Sequence, residues 1–270
     1  TVNGIDVFGA SNTGNVTVVA NGDIYGGNAG IVAGLISTST GNVDVTANGA
    51  VGGKFGVDAE NYGTGNTTVT TIGPVTATTG YGIVGLTDGG NVVVNAGDVS
   101  STGAAAILAE QISAGAAGTV GVTVGNVSGT TGIIAQTNGT GGISVNALGN
   151  VTATNGNGIQ AVNFNPAANA GTIDVWQAAG TKITATLSVS APTAGNDNIG
   201  EVNLVGLRLT TGNAAVQLYR PVIVVTLNGK ETSTQIGVNM NYQVPANRIV
   251  PLPQLSATGK GWDTGATVKL

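Results

Sequence analysis

Residues 14–25 read GNVTVVANGDIY, residues 41–52 read GNVDVTANGAVG, and residues 65–76 read GNTTVTTIGPVT. A fourth version, GNVVVNAGDVSS, starts at Gly90. Each opens on a Gly-x-apolar-x-apolar phrase, with variation at the third position. A second Gly-x-apolar phrase follows, at Gly22, Gly49, Gly73 and Gly97. The first phrase returns at Gly118, Gly141, Gly171 and Gly200, so its starts stand 27, 24, 25, 28, 23, 30 and 29 residues apart. A third phrase closes each of the early repeats: Gly30-Ile31, Gly56-Val57, Gly82-Ile83, Gly132-Ile133 and Gly158-Ile159, with Ala106-Ile107 standing in once. Self-similarity at such a period marks a solenoid or array.

Within each phrase, apolar and polar residues alternate with period two, which places one set inside and the other outside a strand. Three short strands per coil of about 25 residues describe a parallel β-helix. The rule for parallel crossovers makes it right-handed. The fold class expected is therefore all-β, a right-handed parallel β-helix. Glycine at each corner is expected to permit the positive φ of a sharp bend. A propeller blade is longer and carries aromatic signatures, and a leucine-rich repeat needs a leucine ladder. One segment, residues 103–115, has helical propensity, yet Ile107 occupies the third-strand position, so it reads as strand plus loop.

Composition narrows the chemistry. The chain has no Cys and no His, which removes thiol nucleophiles, Ser-His-Asp triads and Cys/His metal sites. Eight Lys and Arg against thirteen Asp and Glu leave a net charge of −5, the wrong sign for general nucleic-acid binding. No apolar run approaches the ~18 residues of a membrane-spanning helix, so no membrane insertion is expected. The Thr/Asn/Gly-rich, cysteine-free, sparsely charged chain fits an exported protein, read as a processed chain without its export signal.

Asn15, Asn42, Asn66 and Asn91 share one repeat position. Stacked at about 4.8 Å, they form a structural ladder whose side-chain amides are expected to hydrogen-bond between coils. Five Asn-x-Ser/Thr matches, at Asn15, Asn66, Asn126, Asn138 and Asn150, follow from Asn at turns preceding Thr or Ser in strands, and read as turn chemistry ahead of sugar attachment.

The repeat loosens near residue 187, dividing the chain into a parallel β-helix (1–186) and a C-terminal β region (187–270). Residues 1–177 hold nine acidic residues and only Lys54, whereas residues 178–270 hold seven basic and four acidic residues. Residues 222–227, the pair Asn228-Gly229 and residues 234–244 read as a β-hairpin, since Asn-Gly suits a type I′ turn. An irregular coil at residues 200–209, an extended connector and a tail ending in Ala-Thr-Val-Lys-Leu complete the region.

Units such as GNVTVVANGDIYG and GGISVNALGNVTATNGNGI resemble the passenger regions of autotransporters and related secreted, repeat-rich adhesin-like proteins, over roughly residues 4–186. The resemblance implies a secreted β-helix displayed at a bacterial surface.

Paired carboxylates are the remaining common catalytic kit, but Asp23, Asp44, Asp58, Glu60, Asp88 and Asp98 scatter over several repeat positions. Asp23 and Asp98 share a corner three coils apart, about 14 Å, too far for a glycosidase pair. No catalytic residue, metal site or cofactor is expected. Three functions are weighed: an extracellular structural subunit that assembles with itself, a monomeric surface adhesin contacting a host or neighbouring cell, and a glycan-processing enzyme. An adhesin needs capped ends, because an open coil exposes backbone edges. Residues 4–8 already read as a coil strand, so the reading favours self-assembly by head-to-tail packing and terminal strand exchange. The candidate contacts are Val2, Ile5, Val7 and Phe8 at one end and Trp262, Val268 and Leu270 at the other.

Overall fold

The alternating phrases fold into stacked coils of a parallel β-solenoid in a computed structural model of the chain. The structure describes residues 2–10 and 13–165, and beyond them the backbone strands Ile173–Gln177, Leu187–Ser190, Val202–Val205, Val222–Leu227, Lys230–Gln235 and Val268–Lys269. Three sheets stack in parallel. Sheet A begins with β1 (Ile5–Gly9) and β4 (Ala29–Leu35), sheet B with β2 (Val16–Ala20), and sheet C with β3 (Ile24–Tyr25). Each later coil adds one strand to each sheet in parallel register as far as Val151–Ala153, the last described strand of sheet C, and sheets A and B continue beyond it. No helix occurs among the described residues, and the segment with helical propensity contains the strand Ile107–Gln111.

The register explains the unequal repeat lengths. In sheet B, Val16, Val43, Thr67, Val92, Val120 and Ile143 stand directly above one another, so every Gly-x-apolar phrase lies on the next. In sheet A the stack is Ile5, Ile31, Val57, Ile83, Ile107, Ile133 and Ile159. Those positions advance by 26 residues at every step but one, which is 24. The corner leading from sheet A to sheet B therefore absorbs most of the variation in length.

The interior is a set of continuous columns. Val16, Val18, Ile31, Val43, Val45 and Ile83 are all buried, as the alternation requires. The central column of sheet A is small, running Ala33, Ala59, Gly85, Ala109 and Ala135. It faces the valines of sheet B closely: a Cβ on Gly85 would lie 3.1 Å from Val94 Cγ2 and 3.2 Å from Val92 Cγ1. Large residues on one sheet against small ones on the other let the two pack at native density.

The corner glycines serve close approach rather than unusual dihedrals. Gly41, Gly65, Gly90, Gly118 and Gly141 form one column at the entry to sheet B, and a Cβ on any of them would fall on the carbonyl of the glycine one coil earlier. None of the five has a φ in the left-handed region. The expected positive φ is thus replaced by a steric reason: backbone stacked directly on backbone leaves no room for a side chain.

Parallel pairing continues beyond residue 186. Leu187 stands over Ile159, Ile223 over Leu187, and Val202 over Ile173. The two strands of a hairpin are present, with Lys230–Gln235 antiparallel to Val222–Leu227. The return strand starts at Lys230 instead of Thr234, with Lys230 in register opposite Leu227. Residues 236–244 lie outside the described residues.

Candidate functional site

All three sheets end together at the first coil. β1, β2 and β3 are terminal strands in their sheets, with no strand on the far side among the described residues. Such an edge presents a row of N–H and C=O groups able to pair with another chain. Apolar side chains cluster there. Val2, Val7, Phe8, Val19 and Tyr25 make up half of the ten large apolar residues exposed among those described.

The placement of each follows from the coil geometry. Val7 belongs to the inward column, standing over Ala33, yet it is 37% exposed because the column stops there. Ile5 heads the neighbouring column and is partly buried against the core. Phe8 points outward, and its ring lies over Gly34 of the next coil. Val2 is almost free at 77% exposure, while its carbonyl accepts from Asn28 N–H at 3.2 Å. Asn3 Oδ1 accepts from Asn28 Nδ2 at 3.0 Å and from Ala29 N–H at 3.1 Å. The N-terminal segment is thereby held on its own chain along one side, with no strand paired along the other among the described residues.

The C-terminal contacts are less exposed to view. Val268 pairs in parallel with Leu204 of its own chain. Trp262 and Leu270 lie outside the described residues. Both terminal segments that have described strands thus fold back onto their own chain.

The asparagine column makes a one-directional chain of hydrogen bonds. Asn15 Oδ1 accepts from Asn42 N–H at 2.8 Å, Asn42 Oδ1 from Asn66 N–H at 2.9 Å, and Asn66 Oδ1 from Asn91 N–H at 2.8 Å. Asn91 continues the series to Thr119 N–H at 2.8 Å. The side-chain amide oxygen of each coil thus bonds the backbone N–H of the next. The reason is positional: the corner breaks the strand ladder, and each orphaned N–H takes the nearest acceptor.

The scattered carboxylates have similar roles. Asp23 Oδ1 accepts from Ala50 N–H at 2.8 Å, and Asp98 Oδ1 from Asn126 N–H at 2.9 Å. They act as corner acceptors in the same manner as Asn126, which receives Asn150 N–H at 3.0 Å. Among the described residues, no group of three or more His, Cys, Asp or Glu is arranged to hold a metal ion.

Asp58 and Glu60 point outward from one strand of sheet A. Val32 and Val84 flank Asp58 in register, and its Oδ1 is buried with no hydrogen-bond partner among the described residues. Burial, and then repulsion from Glu60, pushes its carboxyl from 3.8 up to about 6. Glu60 accepts from the Tyr62 hydroxyl at 2.8 Å, and that bond first, with burial, pushes the phenol up to about 12. A carboxyl whose folded pKa is raised binds more protons folded than unfolded, so stability falls as pH rises between 3.8 and about 6. Asp58→Asn should therefore stabilise the protein by about 1–2 kcal/mol at pH 7 and leave it close to wild type near pH 4. Thermal melts at the two pH values check this; equal stabilisation at both would refute it.

Sequence reasoning missed a column of buried polar side chains at the irregular corner between sheets A and B. Leu35, standing over Gly9 of the first coil, is followed in register by Asn61, Thr87, Gln111, Thr137 and Asn163, all buried. Asn61 Nδ2 donates to Gly41 O at 2.9 Å, and its Oδ1 accepts from Gly63 N–H at 3.0 Å. Gln111 sits at the longest described corner, and its Nε2 reaches Asp88 O at 2.8 Å and Ser113 O at 2.9 Å. These side chains satisfy turn backbone groups that no sheet can reach. The signal was available, since a polar residue stands four positions after the apolar residue of every third phrase but the first. Comparison of the chain with protein-family models, curated proteins and solved structures finds no match to any of them.

Proposed function

We propose that the protein is an extracellular structural subunit that assembles with copies of itself into a filament, tube or layer. The supporting observation is the coil of β1, β2 and β3, where among the described residues three sheet edges and the end of a core column lie side by side with no further strand paired to them. A second copy packed head-to-tail would continue the register, pairing backbone along the edges and covering Val2, Val7 and Phe8 by β-augmentation. A heterologous contact of this kind does not close on itself and so propagates. The sequence supports the same polarity, with nine acids against one lysine in residues 1–177 and seven basic against four acidic residues beyond them. Charge of opposite sign at the two ends steers encounter, within the limits of salt screening. Strand exchange would use the same edge, with β1 leaving its own coil to pair with a neighbour's.

Purified protein examined by electron microscopy should show regular polymers. Val7→Lys combined with Val2→Lys places charge on the open edge, a device that natural edge strands use to block pairing. That variant should keep its β-rich circular dichroism and sediment as a monomer. Polymers as abundant in the double variant as in the wild type would remove this interface from the reading. Isolated rods in the wild type at all concentrations would favour instead a monomeric surface adhesin, the reading to which the resemblance to autotransporter passengers also points.

A further inference from the structure

Sheet C carries a groove that the assembly reading does not use. Its outward row is Tyr25, Gly52, Thr76, Ser100, Ser128 and Thr152, one residue per coil. A second outward row precedes each strand by one residue, and there Pro74, Asp98, Asn126 and Asn150 line the groove together with Ser100, Ser128 and Thr152. The cavity measures about 300 Å³ and crosses four coils, roughly 14 Å along the stack.

We infer that this groove binds a linear, neutral polysaccharide lying along the solenoid axis. Three features select that ligand. The first is repetition: hydroxyls and amides recur at every coil, about 4.8 Å apart, which suits a polymer with a regular short repeat better than a single compact molecule. The second is chemistry. Hydroxyl and amide groups both donate and accept, matching sugar hydroxyls, and the lining contains no Lys or Arg, so Asp98 repels an anionic chain. Ser128 and Thr152 hydroxyls make no hydrogen bond among the described residues, and Asp98 Oδ2 is likewise available while Oδ1 holds Asn126. The third is pairing within the sheet. Val75–Ala77, Val99–Ser101 and Val127–Gly129 are each paired on both sides, and Val151–Ala153 ends the sheet among the described residues, so over most of the groove a peptide has no ladder to join.

The test uses the full chain in a depletion assay on beads carrying immobilised hydroxyethylcellulose or soluble xylan, with dextran sulfate beads as the anionic comparison. Neutral beads should retain the protein and dextran sulfate beads should not. Ser128→Trp and Thr152→Trp each fill the groove from an outward position and should weaken retention about ten-fold with unchanged circular dichroism. No retention on either neutral polymer overturns the proposal, as does equal retention by both folded variants or stronger retention on dextran sulfate. Assembly of the variants into wild-type polymers would separate this result from the polymer reading, because the groove lies away from the first-coil edges of sheets A and B.

Discussion

Val45→Asp is expected to lower the melting temperature by about 10 °C, and Thr46→Asp, one residue along the same strand, to leave it unchanged. Val45 is 1% exposed and stands between Val18 and Val69 in the inward column of sheet B. The substitution removes roughly 2 kcal/mol of apolar burial. It also sets a carboxyl among aliphatic side chains, where the contacts above and below are valines. Together these cost about 4 kcal/mol, with the carboxyl protonating before it accepts burial as an anion. Thr46 faces outward and pairs in register with Val19 and Thr70, so water still solvates a charge there. Because coils interact mainly with their neighbours, the damage spreads from the coils on either side. Circular dichroism melts of the two variants decide the matter, and equal effects would mean the inward set is wrong.

Gln111→Leu is expected to cost about 3 kcal/mol, a large effect for a substitution that raises side-chain hydropathy. Gln111 is fully buried. Its Nε2 donates to Asp88 O and Ser113 O, and its Oε1 accepts from Thr137 Oγ1 at 2.7 Å. Leucine of similar volume leaves the buried Thr137 O–H without its acceptor, although Thr137 Oγ1 still accepts from Gly139 N–H at 2.9 Å. Asp88 O retains the Ser113 N–H and Ser113 O the Ala116 N–H, each at 3.1 Å, which limits the loss. A double-mutant cycle of Gln111→Leu with Thr137→Val should show coupling of about 1–2 kcal/mol, since the two side chains share one bond. A stabilised Gln111→Leu protein would show that the column is ordinary core.

The sequence by itself determined the solenoid, because the cause is local and repeated. Period-two alternation sorts side chains in and out of a strand, and one phrase per coil sets the register: the spacing of Gly14, Gly41, Gly65 and Gly90 is the spacing of Val16, Val43, Thr67 and Val92 in sheet B. The same periodicity identified the apolar columns and the asparagine stack. What the tertiary structure decided lies at the corners and on the faces. The acceptor for each corner N–H depends on which atom the coil below places within reach, so Asn42 bonds to Asn15 Oδ1 through its backbone and not through its amide. The glycine column depends on how closely two backbones stack, a distance that no single repeat encodes. Gln111 and Asn61 interrupt the apolar pattern of the sequence. Only the closed coil turns them inward, to a corner where turn carbonyls have no sheet to pair with. The open edges, the end of the Val7 column and the sheet C groove belong to the same class: they exist only once the coils are stacked, because each is made of residues about 25 apart in sequence and one rung apart in space.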